Sequence, residues 1–422
     1  MTNAAVLPDD IARAIADPKS YAEWDALHRM LIDVRRDLPF ARAGLDDYNP
    51  FWVATKFADI QTVARQNTLF LSGMGGLQTK SALQFQIEAG TGQQFRSVVA
   101  MNEPDHMKYR MLTQAWFVPK NLRQIEERLR KLARTYVDKL AATGGECDFV
   151  SEIAVHYPLM VIMSILGVPD EDEPTMLRLT QEYFGNNDAE LNRGKAAMTP
   201  LEAEQAVTKV VSEFNDYFRK VSEDRRRHPT DDLASVIANS KIDGEPIADI
   251  DAMGYYITVA FAGHDTTSSS VAGAIWAFCE FPDQLARVRA DRSLIPNLVE
   301  EAVRWTTPIH QFVRRAATDC EVRGQKVRKG DWVVLLFPSG NRDEEIFDKP
   351  FEFRVDRPPK QIGFGYGAHV CLGQHLARME MSIFFEELLP RLESIELAGK
   401  PTRTVTNFVG GPKFVPVRFN II

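Results

Sequence analysis

The chain has 422 residues, of which 45% are hydrophobic and 26% are charged, and no low-complexity tract interrupts it. This composition is ordinary for a folded globular protein and excludes an intrinsically disordered chain. The formal net charge of -8 argues against nucleic acid as a main partner, because phosphate binding relies on a basic surface.

The first half of the chain has mainly helical hydrophobic patterns. Apolar residues follow a helical period from Asp9 to about Ala43, and "NPFWVATKFADIQTVARQ" predicts a short strand followed by a helix. Residues 72–100 lack a steady period and indicate a long loop with at most one short helix, of the kind that often covers a site. From Pro104 to about Ser240 the pattern predicts five or six helices.

The second half begins with a long apolar segment, Met253 to Phe281, and a helix that ends before Pro308. The alternating segment that follows predicts strands joined by turns at Gly324 and Gly330. The closing stretch "VTNFVGGPKFVPVRF" predicts a hairpin with the two glycines at its turn. We therefore expect a mainly α fold with a smaller β part, in one domain over residues 1–422.

Localisation is predicted from two features. The N-terminus lacks the basic start and apolar core of a signal peptide. The longest apolar run, "YPLMVIMSILGVP", is too short to cross a bilayer and indicates a buried helix. We expect a cytoplasmic protein with no membrane segment. The four cysteines lie far apart without CxxC pairing, so neither disulfides nor structural zinc are expected.

The stretch "GFGYGAHVCLG" places Cys371 at or just before a helix N-terminus, where unpaired amides and the helix dipole favour the thiolate and lower the thiol pKa. Gly365, Gly367 and Gly373 carry no side chains that would block a broad flat ligand. A thiolate in such surroundings suits haem iron. Two alternatives stay open at this point: a tight turn with a buried structural cysteine, or a cysteine nucleophile with His369 as its base.

The segment "AGHDTTSSS" interrupts an apolar helix with hydroxyl residues that can bond back to backbone carbonyls and bend or bulge the helix. Thr258, Ala262, Asp265, Thr266 and Ser269 share one broad face at helical spacing, so an acid and an alcohol can face the same ligand. The alternative is a helix packed through small residues, with the acid in a surface salt bridge.

Two charged pairs also stand at helical spacing. His106 and Arg110 are four residues apart, and two cations on one face favour an anion, although a solvated basic face is the commoner meaning. Glu301 and Arg304 form an i,i+3 pair, which alone indicates a surface contact of a few tenths of a kcal/mol.

The loop "FGYGAHVCLG" resembles the haem-binding signature of the cytochrome P-450 superfamily at Phe364, Gly367, Cys371 and Gly373. The resemblance implies that Cys371 is the iron ligand, that Phe364 packs by the sulfur, and that His369 binds a haem propionate. Gly365 and Gly373 would belong to the same cofactor-binding loop.

"AGHDTT" is similar to the oxygen-activation motif of that family, from Ala262 to Thr267. This implies that Thr266 holds dioxygen by a hydrogen bond and that Asp265 relays protons from solvent. Proton delivery into a dry pocket requires such a pair. His264 occupies the variable position, and we expect it to point away from the haem.

Three further motifs carry the resemblance. "NEPDHMKYR" resembles a family helix whose His and Arg, here His106 and Arg110, bind haem propionates. Arg314 matches a third propionate contact, and the adjacent Arg315 could exchange that role with it. The ExxR pair with a later arginine is a structural brace for the cysteine loop in this family, and its three members here are Glu301, Arg304 and Arg357.

Membership of this family implies haem b and insertion of oxygen from O2 into a C–H bond, with two electrons from a partner. The expected donor is a small ferredoxin with its reductase. A basic docking patch for this acidic partner is predicted at Lys108, Arg110, Arg123, Arg128, Arg130, Lys131 and Arg378.

The substrate positions of the family are mainly apolar here, which favours a small hydrophobic substrate over a sugar, nucleotide or amino acid. The chain resembles bacterial terpene hydroxylases of the terpineol-oxidising kind, and this resemblance implies a monoterpenoid or alkyl-aromatic substrate. A steroid or fatty-acid-type hydroxylase, a haem-thiolate peroxygenase and a haem sensor are the alternatives. The predicted substrate contacts, beside Ala262, are Thr258, Phe261, Ile309, Phe312, Phe408 and Val409.

Overall fold

Helices form most of the molecule in the computed structural model, which describes residues 4–73, 76–90 and 96–422. Parts of the predicted loop, residues 74–75 and 91–95, therefore lie outside the described residues. The helices of the N-terminal half are α1 (Asp9–Ala16), α2 (Pro18–Ala22), α3 (Trp24–Asp37), α4 (Phe57–Arg65), α5 (Ala82–Gly90), α6 (Asp105–Gln114), α7 (Pro119–Leu122), α8 (Glu126–Ala142) and α9 (Tyr157–Leu166).

The longest of the later helices is the central helix α13 (Asp249–Glu280), which has 32 residues and packs against α9 and several other helices. The later helices are α10 (Glu173–Phe184), α11 (Pro200–Arg227), α12 (Leu233–Ala238), α13 (Asp249–Glu280), α14 (Pro282–Ala290), α15 (Ile295–Thr306), α16 (Phe337–Gly340) and α17 (Gln374–Leu388).

The strands form one five-stranded sheet, one three-stranded sheet and three two-stranded pairs within the described ranges. The large sheet has the order β1-β2-β10-β7-β3, with β10 parallel to β2 and antiparallel to β7. The strands are β1 (Phe40–Ala43), β2 (Phe51–Ala54), β3 (Phe70–Leu71), β4 (Glu146–Asp148), β5 (Lys241–Ile242), β6 (Glu245–Pro246), β7 (Gln311–Ala316), β8 (Cys320–Val322), β9 (Gln325–Val327), β10 (Trp332–Leu336), β11 (Leu392–Leu397), β12 (Thr402–Arg403), β13 (Pro412–Phe414) and β14 (Pro416–Ile421).

The central helix α13 can approach α9 closely because glycine occupies position 263. A Cβ there would lie 2.7 Å from Cδ1 of Ile162 on α9. Both helices bury most of their residues, as expected for helices that are enclosed by protein. The helix α13 is continuously α-helical from Asp249 to Glu280, without a π-helical bulge. The predicted back-bonding of hydroxyls is present, since Thr266 Oγ1 donates to the carbonyl of Ala262.

Two sequence predictions about helices were wrong in detail. The helical pattern stops at Asp37, and the next apolar residues form β1 because they pair with β2. The region from Pro104 to Ser240 has seven α-helices, since two short ones carry too few residues to show a period.

The closing hairpin pairs β12 with β13 through a long connection, while the last strand β14 pairs with β11 and β4 instead. The strand turns at Gly324 and Gly330 are confirmed, with φ of +75° and +90°. In the part of the chain that the structure describes, no helix has the length and apolar character needed to span a membrane.

Candidate functional site

A deep cavity lies between α13 and the loop that precedes α17. It encloses about 1470 Å³ free of protein atoms, including the part open to solvent. The predicted site residues that line it are His106, Arg110, Thr258, Ala262, Thr266, Ile309, Phe312, Arg314, Phe364, Gly365, His369, Cys371 and Gly373. Residues far apart in sequence are therefore brought to one place.

Cys371 lies in this wall, three residues before Gln374, the first residue of α17. Its amide N–H donates to the carbonyl of Phe364 at 2.8 Å, and its sulfur accepts the N–H of Gly373. Burial raises the pKa of the thiol, and the Gly373 amide with Arg110 and Arg378 opposes that rise. The predicted lowering was wrong for the protein alone, because desolvation outweighs the helix terminus. Coordination to a metal ion deprotonates such a thiol outright.

The glycines of the loop serve different needs. A Cβ at Gly373 would meet no atom within 4 Å, and this glycine lines the cavity, as does Gly365 with φ +70°. Gly367 has φ +73°, and a Cβ there would lie 2.5 Å from the carbonyl oxygen of Ala64. Gly367 is therefore required by packing against α4, whereas the prediction assigned it to clearance for a ligand.

Four cationic or hydrogen-bonding side chains meet at one end of the cavity: His106, Arg110, Arg314 and His369. The two imidazole rings lie 4.0 Å apart, centroid to centroid. Burial, helped by Arg314 and His106, lowers the pKa of His369 to about 3, and burial lowers that of Arg314 to about 10.

This cluster has few protein acceptors among the described residues. Arg110 donates to the carbonyl of Val370 at 2.8 Å, and Arg314 donates to its own neighbour's carbonyl, that of Val313, at 3.1 Å. Only His106 contacts a carboxylate, Glu103 at 3.3 Å, and its Nε2 is buried without a partner. Buried donors without acceptors are costly, so the donor set fits a ligand with carboxylates.

Arg315 does not exchange with Arg314. Its side chain is exposed and lines a separate surface depression, because alternate residues of β7 point to opposite faces of the sheet.

Glu301, Arg304 and Arg357 form a buried cluster beneath the loop. Arg304 donates to both carboxylate oxygens of Glu301 at 2.7 Å, and Arg357 Nε lies 3.2 Å from Glu301 Oε2. Arg304 also donates to the carbonyls of Asn341 and Pro350, each at 2.9 Å. The three side chains thereby connect α15 to the irregular segment that leads to Cys371.

The acid and alcohol of α13 differ in their surroundings. Thr266 faces the cavity, whereas Asp265 is beside the lining and its Oδ2 is buried without a hydrogen bond. His264 is fully buried and does not line the cavity. Its imidazole contacts the Thr180 hydroxyl and the Val155 carbonyl instead. Ser269, which was predicted on the same face, packs against Gly411 instead. A Cβ built on Gly411 would lie 2.4 Å from the Cβ of Ser269.

Three predicted substrate residues lie behind the cavity wall rather than in it. Phe261 packs on Tyr183 at 4.5 Å between ring centroids, on the side of α13 that meets α10. Phe408 contacts the lining residue Phe312 at 5.6 Å, and Val409 forms a β-bridge with Ile309. The turn of α13 directs Phe261 away from the cavity. Phe408 and Val409 contact lining residues but do not line the cavity themselves.

The sequence patterns missed other lining residues. Val98 and Val99 precede α6 in the aperiodic loop, where no pattern could place them. Ser97 beside them lies 2.7 Å from Thr258 Oγ1. Glu380 on α17 is buried and accepts a hydrogen bond from Thr267 at 2.9 Å, and burial raises its pKa well above the usual range. The signal in the sequence that could have found Glu380 was its position as an acid within the apolar face of a predicted helix.

Comparison with known proteins gives the family. A family model described as cytochrome P-450 matches residues 80–413. Cytochrome P-450-terp of a Pseudomonas species is 45% identical, over 99% of both chains. The chain belongs to the cytochrome P-450 family. Linalool 8-monooxygenase of Pseudomonas putida is 32% identical, over 92% of this chain and 94% of that one.

Solved structures agree with this P-450 assignment. The crystal structure of CYP108D1 from Novosphingobium aromaticivorans superposes with a TM-score of 0.91 at 43% identity, and covers 99% of this chain and 100% of that one. The protein is accordingly a haem-dependent monooxygenase that uses O2 and a hydrophobic substrate. The buried donors and the clear space at Gly373 fit a flat ligand with two carboxylates, as haem is.

Proposed function

We propose that this P-450 uses haem b to hydroxylate a small hydrophobic molecule, a monoterpenoid or an alkyl-aromatic. The observation that carries the proposal is the combination of Cys371 with an apolar cavity wall that includes Val98, Val99, Ile309 and Phe312. The relatives named for terpenoids, P-450-terp and linalool 8-monooxygenase, support the same substrate class.

The haem would be held by Cys371 on iron and by His106, Arg110, Arg314 and His369 at its carboxylates. Phe364 would pack by the sulfur, and the guanidinium of Arg378 lies over its ring at 4.4 Å from the centroid. When bound, the haem supplies the redox chemistry of O2 and C–H hydroxylation. The Glu301, Arg304 and Arg357 cluster would keep the cysteine loop in place for it.

Thr266 and Asp265 would deliver protons. The Thr266 hydroxyl donates to the Ala262 carbonyl at 2.8 Å, so it can still accept from a ligand, or donate when that bond opens. Asp265, with an unpaired Oδ2, would pass protons from solvent toward it. Replacing Thr266 by Ala should leave substrate binding intact and divert reducing equivalents to peroxide. Unchanged coupling of electrons to product would exclude this role.

The substrate would donate a hydrogen bond to Thr258 if it carries a hydroxyl. The Thr258 hydroxyl proton is used on the carbonyl of Gly254 at 2.6 Å, and Ser97 already faces its oxygen. Thr258 can therefore serve a ligand only as an acceptor. This favours an alcohol such as a terpene alcohol over a ketone at that position.

Electrons would come from a ferredoxin with its reductase, in the cytoplasm. Of the predicted basic patch, Arg110 lines the cavity, Arg130 pairs with glutamates including Glu387, and Arg378 pairs with Glu300. Lys108 pairs with Asp243. Arg123, Arg128 and Lys131 are exposed and have no acidic partner in the described ranges, and the exposed Lys120 lies beside them in sequence.

The substrate class is tested by titrating the ferric holoenzyme with α-terpineol, linalool, p-cymene, a C27 steroid and a long-chain fatty acid. We expect the first three to shift the Soret band from low spin to high spin at micromolar concentration. A response confined to the steroid or the fatty acid would contradict the proposal. Product analysis with the donor system then shows whether the binder is hydroxylated.

A further inference from the structure

The imidazole of His264 is the only side chain of the motif "AGHDTT" that faces away from the cavity into a fully buried polar contact within the described α13. Its Nε2 lies 2.7 Å from the carbonyl oxygen of Val155, and its Nδ1 lies 3.0 Å from Thr180 Oγ1. The same Nδ1 is 3.4 Å from Asp265 Oδ2. One ring nitrogen thus adjoins both a hydroxyl and a carboxylate.

The hydrogen atoms at this site can be assigned from donor and acceptor types. A carbonyl only accepts, so Nε2 of His264 must carry a proton for Val155. The Thr180 hydroxyl is also 3.0 Å from the carbonyl of Leu177, and it has one hydrogen for two neighbours. If Thr180 donates to Leu177, then Nδ1 must donate to Thr180, and the ring is doubly protonated.

The carboxylate supports the doubly protonated arrangement. Asp265 Oδ2 is buried and receives no hydrogen bond, and a buried carboxylate oxygen without a partner is costly. A cationic imidazole at 3.4 Å offsets this cost by its charge. The neutral ring would instead direct its lone pair toward the same region and leave the carboxylate uncompensated.

We infer that His264 is a positioning residue, a doubly protonated imidazole held by Val155 and Thr180, that keeps Asp265 ionised and oriented for proton delivery. The inference rests on the proposed role of Asp265 and deepens it. No bond is made or broken at His264 itself. The ring acts through Asp265, and Thr180 on α10 fixes the ring.

The structural test is direct. ¹⁵N spectra of the histidine side chains in the ferrous carbon monoxide holoenzyme are recorded at pH 7, and His264→Gln identifies the resonances of His264. We expect two ring nitrogens with proton-bearing shifts. A single nitrogen with the lone-pair shift would overturn the inference, whatever the activity.

The functional test compares His264→Gln, Thr180→Val and Asp265→Asn. The glutamine keeps a neutral donor for Val155 but cannot carry the charge, and the valine removes only the hydroxyl. Ser164→Ala is the control, since the Ser164 hydroxyl bonds only to the Val161 carbonyl on α9. Product per electron pair is measured with a bacterial [2Fe–2S] ferredoxin system and α-terpineol, beside the dissociation constant from the Soret shift.

We expect about tenfold less product from His264→Gln and a severalfold loss from Thr180→Val, with the dissociation constant within about twofold. The control should match the parent protein. If Asp265→Asn alone lowers product, the inference about His264 is wrong while the role of Asp265 stands. If Asp265→Asn also has no effect, the proposed proton route fails.

Discussion

Arg304 donates two hydrogen bonds of 2.7 Å to Glu301, and both side chains are almost completely excluded from solvent. Removing one partner would leave the other charge buried and unpaired. We predict that Glu301→Ala lowers the free energy of unfolding by about 3 to 5 kcal/mol and reduces haem retained per protein. Urea unfolding and the haem-to-protein absorbance ratio measure the two effects.

An exposed ion pair provides the matched control. Arg287 and Asp356 pair at 2.8 Å with partly exposed side chains. Arg287→Ala should cost less than about 1 kcal/mol. Equal costs for the exposed and the buried pair would contradict the account of the brace.

Gly367 and Gly373 should respond differently to alanine. Gly367→Ala places a methyl group 2.5 Å from the Ala64 carbonyl at φ +73°, so we expect a loss of stability of about 2 kcal/mol or more. Gly373→Ala meets no protein atom within 4 Å, so the apoprotein should keep its stability within about 0.5 kcal/mol. Because Gly373 lines the cavity, the added methyl group should nevertheless weaken haem binding by Gly373→Ala. A Gly373→Ala apoprotein as unstable as Gly367→Ala would contradict the assignment.

The sequence predicted the mainly helical fold and the residues that meet in the cavity because their signals are local. Helical periods revealed the long helices, and short motifs identified Cys371, Thr266 and His106. The pairing of β14 with β11 and β4 could not be predicted from the sequence, because the pattern of a single strand does not specify which other strands it pairs with.

Side-chain direction was the second gap. Phe261 is one residue from the lining residue Ala262, yet the helical turn places it against Tyr183. The environment of Cys371 was also misjudged, because the desolvation that raises its pKa depends on how deeply the folded chain buries the loop.

His310 should make stability depend on pH. Its ring is buried and stacked on Tyr21 at 4.8 Å, and burial, together with Arg403, lowers its pKa to about 3. Between about pH 6.5 and 3 the unfolded chain binds a proton that the folded chain does not, so stability falls as the pH falls. The contribution is about 1.4 kcal/mol per pH unit.

The measurement is urea unfolding at several pH values between 7 and 5. His310→Gln should reduce the slope of the unfolding free energy against pH by about 1 kcal/mol per unit below pH 6. The exposed His228 offers a control substitution, His228→Gln. An unaltered slope in His310→Gln would show that His310 is not neutral in the folded protein.

The docking patch gives a prediction for electron transfer. Arg123→Glu and Lys131→Glu reverse exposed charges that have no acidic partner in the described ranges. We expect the KM for ferredoxin to rise severalfold and the dependence of its rate on salt to weaken. Lys400→Glu makes the same change at another exposed lysine. Equal effects of all three would indicate that only net charge matters.

Thiolate ligation by Cys371 is the central claim, and the spectrum of the reduced holoenzyme with carbon monoxide tests it most directly. We expect the strongly red-shifted Soret band of a cysteine thiolate ligand in the parent protein, and its loss in Cys371→His with the haem retained. A parent spectrum typical of histidine ligation, or an unchanged spectrum in the variant, would contradict it.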